Sequence, residues 1–161
     1  MKSTLLLTSI ALLSFGSLQA ETLTLEGVHN CCKKCEKGIS DAVSKVDGAT
    51  ATADKGTVTI TAKDADSAKK AVASLVEGGY FGKGAEAPAV TDATVKTASV
   101  AGVHLCCGKC VTAVENAVKS VKGVTSHNAE KGASSFNVEG EFSTKELAAA
   151  LNKAGFNGSL K

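Results

Sequence analysis

An α+β fold written twice is what this sequence predicts, on three observations. Short runs such as Leu23-Thr24-Leu25 and Thr57-Val58-Thr59-Ile60-Thr61 alternate with the two-residue period of half-buried strands. Between such runs, apolar residues fall at helical spacing, as at Ile39, Ala42, Val43 and Val46, so strands and helices interleave. Third, the order returns. Gly27-Val28-His29-Asn30-Cys31-Cys32-Lys33-Lys34-Cys35 recurs 75 positions later as Gly102-Val103-His104-Leu105-Cys106-Cys107-Gly108-Lys109-Cys110.

Taken in order, Leu23 to Leu25 is a first strand ended by Gly27, and the cysteine loop leads into a helix stopped by Asp47-Gly48. The alternating runs 49–53 and 57–61 flank Asp54-Lys55-Gly56, the signature of a hairpin. A second helix runs from about Ser67 through Ala68, Ala71, Val72 and Leu75 to Gly78-Gly79, and Tyr80-Phe81 opens a short last strand. Residues 83–94 hold the only proline, Pro88, with no periodic apolar face, and read as a linker. Thr97 to Ala101 then restarts the order. Val114, Ala117, Val118 and Val121 repeat the first helix face, and Lys131-Gly132 matches Lys55-Gly56 after one inserted residue. The second hairpin is weaker, since Ser134 replaces Val58 while Phe136 and Val138 keep an apolar face. Ser143 or Thr144 caps the last helix, with Glu146 placed for a capping box. Each repeat is therefore expected to be a ferredoxin-like βαββαβ module, a four-stranded antiparallel sheet with two helices on one face.

The expected organisation is a signal peptide at 1–20, a first module at 21–82, a linker at 83–94 and a second module at 95–161. Lys2, the apolar run from Leu5 to Phe15 and the small residues Gly16 to Ala20 have the three-part order of a secretory leader cut after Ala20. The run is short of the roughly 20 residues a bilayer span needs. The expected location is periplasmic or secreted, with no membrane insertion after cleavage. Lysine and arginine total 18 against 16 acidic residues, so there is no basic footprint for nucleic acid. Every basic residue is lysine, which removes the usual bidentate reader of phosphate. Aromatics make up 4% and tryptophan is absent, which argues against a platform for stacking bases.

All six cysteines and two of the three histidines lie in the two loops. Thiolates are soft metal ligands and strong nucleophiles. Cys32 and Cys35, like Cys107 and Cys110, are three apart at a helix start, where free backbone N–H groups and the helix dipole favour thiolate. Cys31 and Cys106 add a third sulfur to each loop, and His29 and His104 offer a nitrogen. Disulfides within loops this tight would constrain the unfolded chain little. Three thiolates suit Cu(I), and three thiolates with an imidazole suit tetrahedral zinc. His127 has no counterpart in the first repeat and is expected to face water. No Ser-His-Asp or paired-carboxylate grouping recurs in both repeats, so hydrolytic catalysis gets no support.

Both repeats resemble the heavy-metal-associated domain, the small module of copper chaperones, mercury-binding periplasmic proteins and metal-ATPase tails. The resemblance rests on Gly27 with Cys32 and Cys35, on Gly102 with Cys107 and Cys110, and on the later pairs Gly79-Tyr80 and Gly155-Phe156. Val28 and Val103 stand where the family carries Met, and two extra loop residues bring in the additional cysteine. The resemblance implies a non-enzymatic protein that captures a soft ion, Cu(I) first, with zinc or mercury as alternatives. The expected ligands are Cys31, Cys32, Cys35 and His29 in one site, and Cys106, Cys107, Cys110 and His104 in a second, independent one. Its expected partner is a metal-transporting membrane protein or another metal acceptor. Two rival readings are a thiol–disulfide oxidoreductase using the Cys-x-x-Cys pairs and an assembly module with oxidised cysteines. The thioredoxin pattern is absent: neither pair encloses a proline.

Overall fold

Strands form where the sequence alternates. In the computed structural model, which describes residues 20–161, β1 (Glu21–Glu26) is followed by α1 (Lys33–Val43), β2 (Ala49–Asp54), β3 (Thr57–Ala62) and α2 (Ala65–Glu77). The order then repeats as β4 (Thr94–Ala101), α3 (Gly108–Lys119), β5 (Val124–His127), β6 (Ser135–Ser143), α4 (Thr144–Lys153) and β7 (Ser159–Leu160). The expected signal peptide lies outside the described residues, apart from Ala20. No helix among the described residues is long and apolar enough to cross a membrane.

Each half has the ferredoxin-like arrangement. In the first, β3 lies between β1 and β2, antiparallel to both. Val58, Ile60 and Ala62 face inward while Thr57 and Thr61 stay exposed, as the two-residue period requires. The inner face meets Ile39, Ala42 and Val43 of α1 and Ala68, Ala71 and Leu75 of α2, all buried. Asp54 pairs with Thr57 across a two-residue turn in which Lys55 and Gly56 both have positive φ, 44° and 91°. That is the mirror-image turn whose twist matches the flanking strands. The second half orders its strands β5-β6-β4-β7 and buries Val100, Val114, Val118, Val138, Phe142, Leu147 and Leu151.

Two expectations need correction, the fourth strand of the first sheet and the exposure of His127. The first sheet has three strands, and a single antiparallel bridge between Glu26 and Lys83 stands where the fourth would run. The sequence Gly82-Lys83-Gly84 explains this, because glycine weakens a strand and Gly84 turns out of it at φ 107°. The end of the stretch 83–94 is hydrogen-bonded to the start of α4. Thr144 donates its hydroxyl to the Thr91 carbonyl at 2.7 Å, and Ser143 donates to Asp92 at 2.8 Å. Ser143, rather than Thr144, is the cap of α4, accepting from the Glu146 N–H. His127 is half-buried, and its Nδ1 accepts from the Ala129 N–H at 3.3 Å.

The two halves do not keep separate cores. Their buried apolar residues form one connected cluster, joined where the segment after α2 meets the segment after α4. Tyr80 and Phe156 bridge as antiparallel partners. Phe81 N–H donates to Gly155 O at 3.1 Å, and Asn157 N–H donates to Gly79 O at 3.0 Å. Gly79 and Gly155, each at φ 88°, are required here: a Cβ on Gly79 would strike the Gly102 carbonyl and the His104 amide, and one on Gly155 would strike His29 and Gly27. Each glycine is thus pressed against the cysteine loop of the other half.

Candidate metal centre

Both cysteine loops leave a strand, pass a glycine at positive φ and enter a helix. Gly27 and Gly102 sit at φ 76° and 78°. Cys32 and Cys107 occupy the N-cap positions of α1 and α3 with extended backbone. The carbonyl of Cys32 accepts from the Cys35 and Glu36 amides, and that of Cys107 from the Cys110 and Val111 amides. Cys35 and Cys110 then fall on the first turn facing the core, with no exposed surface. The other four cysteines are half-buried and all six are free thiols.

Because each loop is docked against the opposite half, the six sulfurs converge. Between halves, Cys31 lies 3.3 Å from Cys107 and 3.7 Å from Cys110. Cys106 lies 3.8 Å from Cys32 and 3.5 Å from Cys35, and Cys35 is 3.9 Å from Cys110. Within halves, Cys32–Cys35 and Cys107–Cys110 are separated by 3.8 and 3.6 Å, and Cys31–Cys35 and Cys106–Cys110 by 3.7 Å each. The pattern has approximate two-fold symmetry. Where two separate sites were expected from the sequence, all six sulfurs lie in one contact network, within which Cys31, Cys32 and Cys35 of the first half also lie within 4.8 Å of one another.

The electrostatics divide each vicinal pair. The amide of Cys35 draws the Cys32 thiol below its usual range, and the amide of Cys110 draws Cys107 down to about 6. Such amides at a helix start stabilise the thiolate. Burial, followed by sulfur contacts, pushes Cys31 up, and it pushes Cys106 up to about 12. Burial also raises Cys110. In each loop the lowered thiol, Cys32 or Cys107, stands beside a raised one, and Cys107, at about 6, is mostly thiolate at neutral pH.

The histidines complete the basin. A ring nitrogen of His104 lies within 4.8 Å of the Cys35, Cys106 and Cys110 sulfurs, and one of His29 lies equally near Cys31 and Cys110. His29 stacks on Phe156 with ring centroids 4.4 Å apart, and His104 packs on Tyr80 at 4.6 Å. Burial lowers the pKa of both imidazoles, with the charge of His104 adding to the effect on His29, so both are neutral at pH 7. Their Nε2 atoms are buried without a partner, a state costing roughly 1–3 kcal/mol per group. Neutral imidazoles and thiolates within mutual reach form a soft donor set, the kind that suits Cu(I) and, with nitrogen included, zinc.

Tyr80 is buried and donates its hydroxyl to the Cys35 carbonyl at 3.3 Å. Burial first, and the surrounding sulfurs next, raise its pKa and keep that hydroxyl protonated. The sequence pattern puts all six sulfurs in or beside a helix start and gives no sign that Gly79, Tyr80, Gly155 and Phe156 dock the opposite loop. One signal was available: Gly38, in the middle of α1, has no room for a Cβ because the Tyr80 hydroxyl is there.

Residues 97–157 match the family described as the heavy-metal-associated domain. The solution structure of the N-terminal soluble domains of Bacillus subtilis CopA is similar at 17% identity, covering 89% of this chain and 95% of that one, with a TM-score of 0.35. A second structure, of the water-soluble region of the P-type ATPase CopA from Bacillus subtilis, also shows 17% identity, over 89% and 92% of the two chains, with a TM-score of 0.34. Compared with curated proteins, the chain matches none.

Proposed function

We propose that the whole chain is an exported Cu(I)-binding protein that buffers the ion or passes it to an acceptor, a reading supported by the match of residues 97–157 to the heavy-metal-associated domain. The observation that carries this reading is the six-sulfur network, with contacts of 3.3–3.9 Å that reach across the two halves. Thiolates select soft ions, and a donor set this rich in sulfur ranks Cu(I) first, with zinc second. Export rests on the leader-like N-terminus, and in that compartment the acceptor would be a metal-transporting membrane protein or another carrier.

Capture and release follow from the uneven thiols. Cys32 and Cys107 are partly exposed and carry the lowered thiols of their loops, so they meet an incoming ion first. Cys35 and Cys110 are buried and close the shell behind it, losing their protons as metal binds. Transfer reverses the order: an acceptor thiolate bonds to the ion, one protein thiolate leaves, and that sulfur regains a proton. No bond of a substrate is broken, so no catalysed step is required.

The test is an anaerobic competition between the reduced protein and a chromophoric Cu(I) chelator. The protein is expected to withdraw Cu(I) from the chelator, and a variant carrying Cys32→Ser, Cys35→Ser, Cys107→Ser and Cys110→Ser is expected to withdraw none. Insulin reduction should stay at the uncatalysed rate. Failure to compete, or insulin turnover lost on Cys107→Ser, would replace this reading with the oxidoreductase one, which wants the same low-pKa sulfurs.

A further inference from the structure

We infer that the chain holds two ions, each on three sulfurs drawn from both halves: one on Cys31, Cys107 and Cys110, the other on Cys32, Cys35 and Cys106. This rests on the soft-metal reading above and goes beyond it by assigning the ligands, the ion count and the purpose of the vicinal cysteines.

The assignment comes from which contacts close into triangles. A three-coordinate ion needs three sulfurs in mutual contact. Within one half, the triangle is wider: Cys31 and Cys32 each touch Cys35 and all three sulfurs lie within 4.8 Å of one another, but the tight contacts do not join Cys31 to Cys32, nor Cys106 to Cys107. The backbone explains why. Cys32 has φ −167° and ψ 167°, and Cys107 has φ −151° and ψ 170°. Successive side chains on extended backbone point to opposite sides. The first cysteine of each vicinal pair therefore leaves the chain on the opposite side from the second: Cys31 and Cys106 each keep one contact with their own half, at 3.7 Å to Cys35 and Cys110, and make two across the boundary.

Across the boundary the triangles do close. Cys31, Cys107 and Cys110 have edges of 3.3, 3.7 and 3.6 Å. Cys32, Cys35 and Cys106 have edges of 3.8, 3.8 and 3.5 Å. Two other closed triangles exist, Cys31–Cys35–Cys110 and Cys35–Cys106–Cys110. These share the edge Cys35–Cys110, so ions in both would crowd together, and they leave Cys32 and Cys107 idle. The first two triangles share no sulfur, use all six, and exchange under the two-fold symmetry. The centre of such a triangle lies about 2.1 Å from each sulfur, against about 2.3 Å for a zinc–thiolate bond, so the sulfurs need move outward by only a few tenths of an ångström.

Each half thus supplies a Cys-x-x-Cys pair to one ion and a single cysteine to the other. The consequence is mechanical: a bound ion cross-links the halves, and opening them strips one ligand from both ions at once. Release to an acceptor is coupled to separation of the halves.

The experiment uses the full chain loaded anaerobically with Cu(I), with sulfur coordination counted by X-ray absorption. In a Cys32→Ser/Cys35→Ser background, one ion with three sulfurs is expected. Adding Cys31→Ser should drop the count to two, whereas adding Cys106→Ser should leave it at three. The reciprocal background, Cys107→Ser/Cys110→Ser, should reverse the roles: Cys106→Ser lowers the count and Cys31→Ser does not. Circular dichroism of each apo variant checks that the fold is kept, and the paired design compares variants equally altered. A count that falls with Cys106→Ser in the first background would place each ion within one half and overturn the pairing. More than two ions per wild-type chain would overturn it in favour of a thiolate-bridged cluster. A parent protein that takes up no Cu(I) would sink the soft-metal reading itself, an outcome distinct from either.

Discussion

The two halves share a topology and differ in how each is held at the boundary. In the first, Tyr80 reaches from the end of α2 to the Cys35 carbonyl, and α1 makes room with Gly38. In the second, the aromatic is Phe156, and the position matching Gly38 is Ala113. Phenylalanine has no hydroxyl to seat, so the helix keeps a methyl and its better helix propensity. The hairpins differ as well: a two-residue turn joins β2 to β3, while β5 and β6 are separated by residues 128–134 and their ladder shifts between Val124 and Ser126. Against these differences the cysteine loops keep nearly identical backbone and mirrored sulfur contacts. What is kept between the halves is the part that faces the other half.

The largest expected effect separates the sulfurs within each loop. With its thiol drawn down to about 6, Cys107 is mostly thiolate at pH 7, whereas an ordinary cysteine near 8.5 is only a few per cent ionised. Cys106, pushed up to about 12, and Cys31, raised by burial, are almost fully protonated. Iodoacetamide at pH 7 should therefore label Cys107 and Cys32 first, with Cys31 and Cys106 slower by about a hundredfold or more. The sign is fixed by the lowered group: labelling of Cys107 declines as pH falls through about 6. Peptide mapping by mass spectrometry reads the order. Labelling of Cys31 as fast as Cys32 would erase the division within the vicinal pair.

Next in size is the docking itself. Gly155→Ala puts a methyl into the His29 amide and the Gly27 carbonyl, and Gly79→Ala does the same to Gly102 and His104. Both also force alanine into positive φ, so each should cost about 3 kcal/mol or more. Gly132→Ala is the control. It has the same backbone strain at φ 87° but open space around the added carbon, and should cost about 1 kcal/mol. Urea denaturation of the reduced, metal-free protein measures all three. If Gly155→Ala costs no more than Gly132→Ala, the two halves do not pack through these glycines.

That contrast also marks where the sequence stops being informative. Strands, helices, the turn at Lys55-Gly56 and the cap at Ser143 are local: periodicity and a few side chains specify them within a dozen residues. The placement of Cys32 and Cys35 at a helix start is local too. The shared centre is not, because the reason for Gly155 lies in the backbone of His29, on an element more than a hundred positions away. The missing fourth strand was written in Gly82 and Gly84, whose effect competes with the alternation expected from Tyr80-Phe81. The vicinal cysteines were visible, but their partner was not, since an extended dipeptide says that its side chains diverge and not what they meet. The mid-helix Gly38 was the readable clue, an unfavourable residue in a helix with no turn to justify it.

The smallest expected effect tests whether Gly38 and Tyr80 are a coupled pair that the second half has replaced with Ala113 and Phe156. Gly38→Ala alone gains helix propensity, worth about 1 kcal/mol, but its methyl meets the Tyr80 hydroxyl. The hydroxyl must then give up the Cys35 carbonyl, and the net change should be a loss of about 1 kcal/mol. Tyr80→Phe alone loses that hydrogen bond, again costing about 1 kcal/mol, and leaves an unfilled space over the glycine. Made together, the two changes copy the second half: the methyl fills the space left by the hydroxyl and the helix keeps its propensity gain. The double variant should be about as stable as the parent, giving a coupling of roughly 2 kcal/mol in a double-mutant cycle. Additive losses would mean that the tyrosine and the glycine do not answer to each other, and that the first half tolerates its glycine for some other reason.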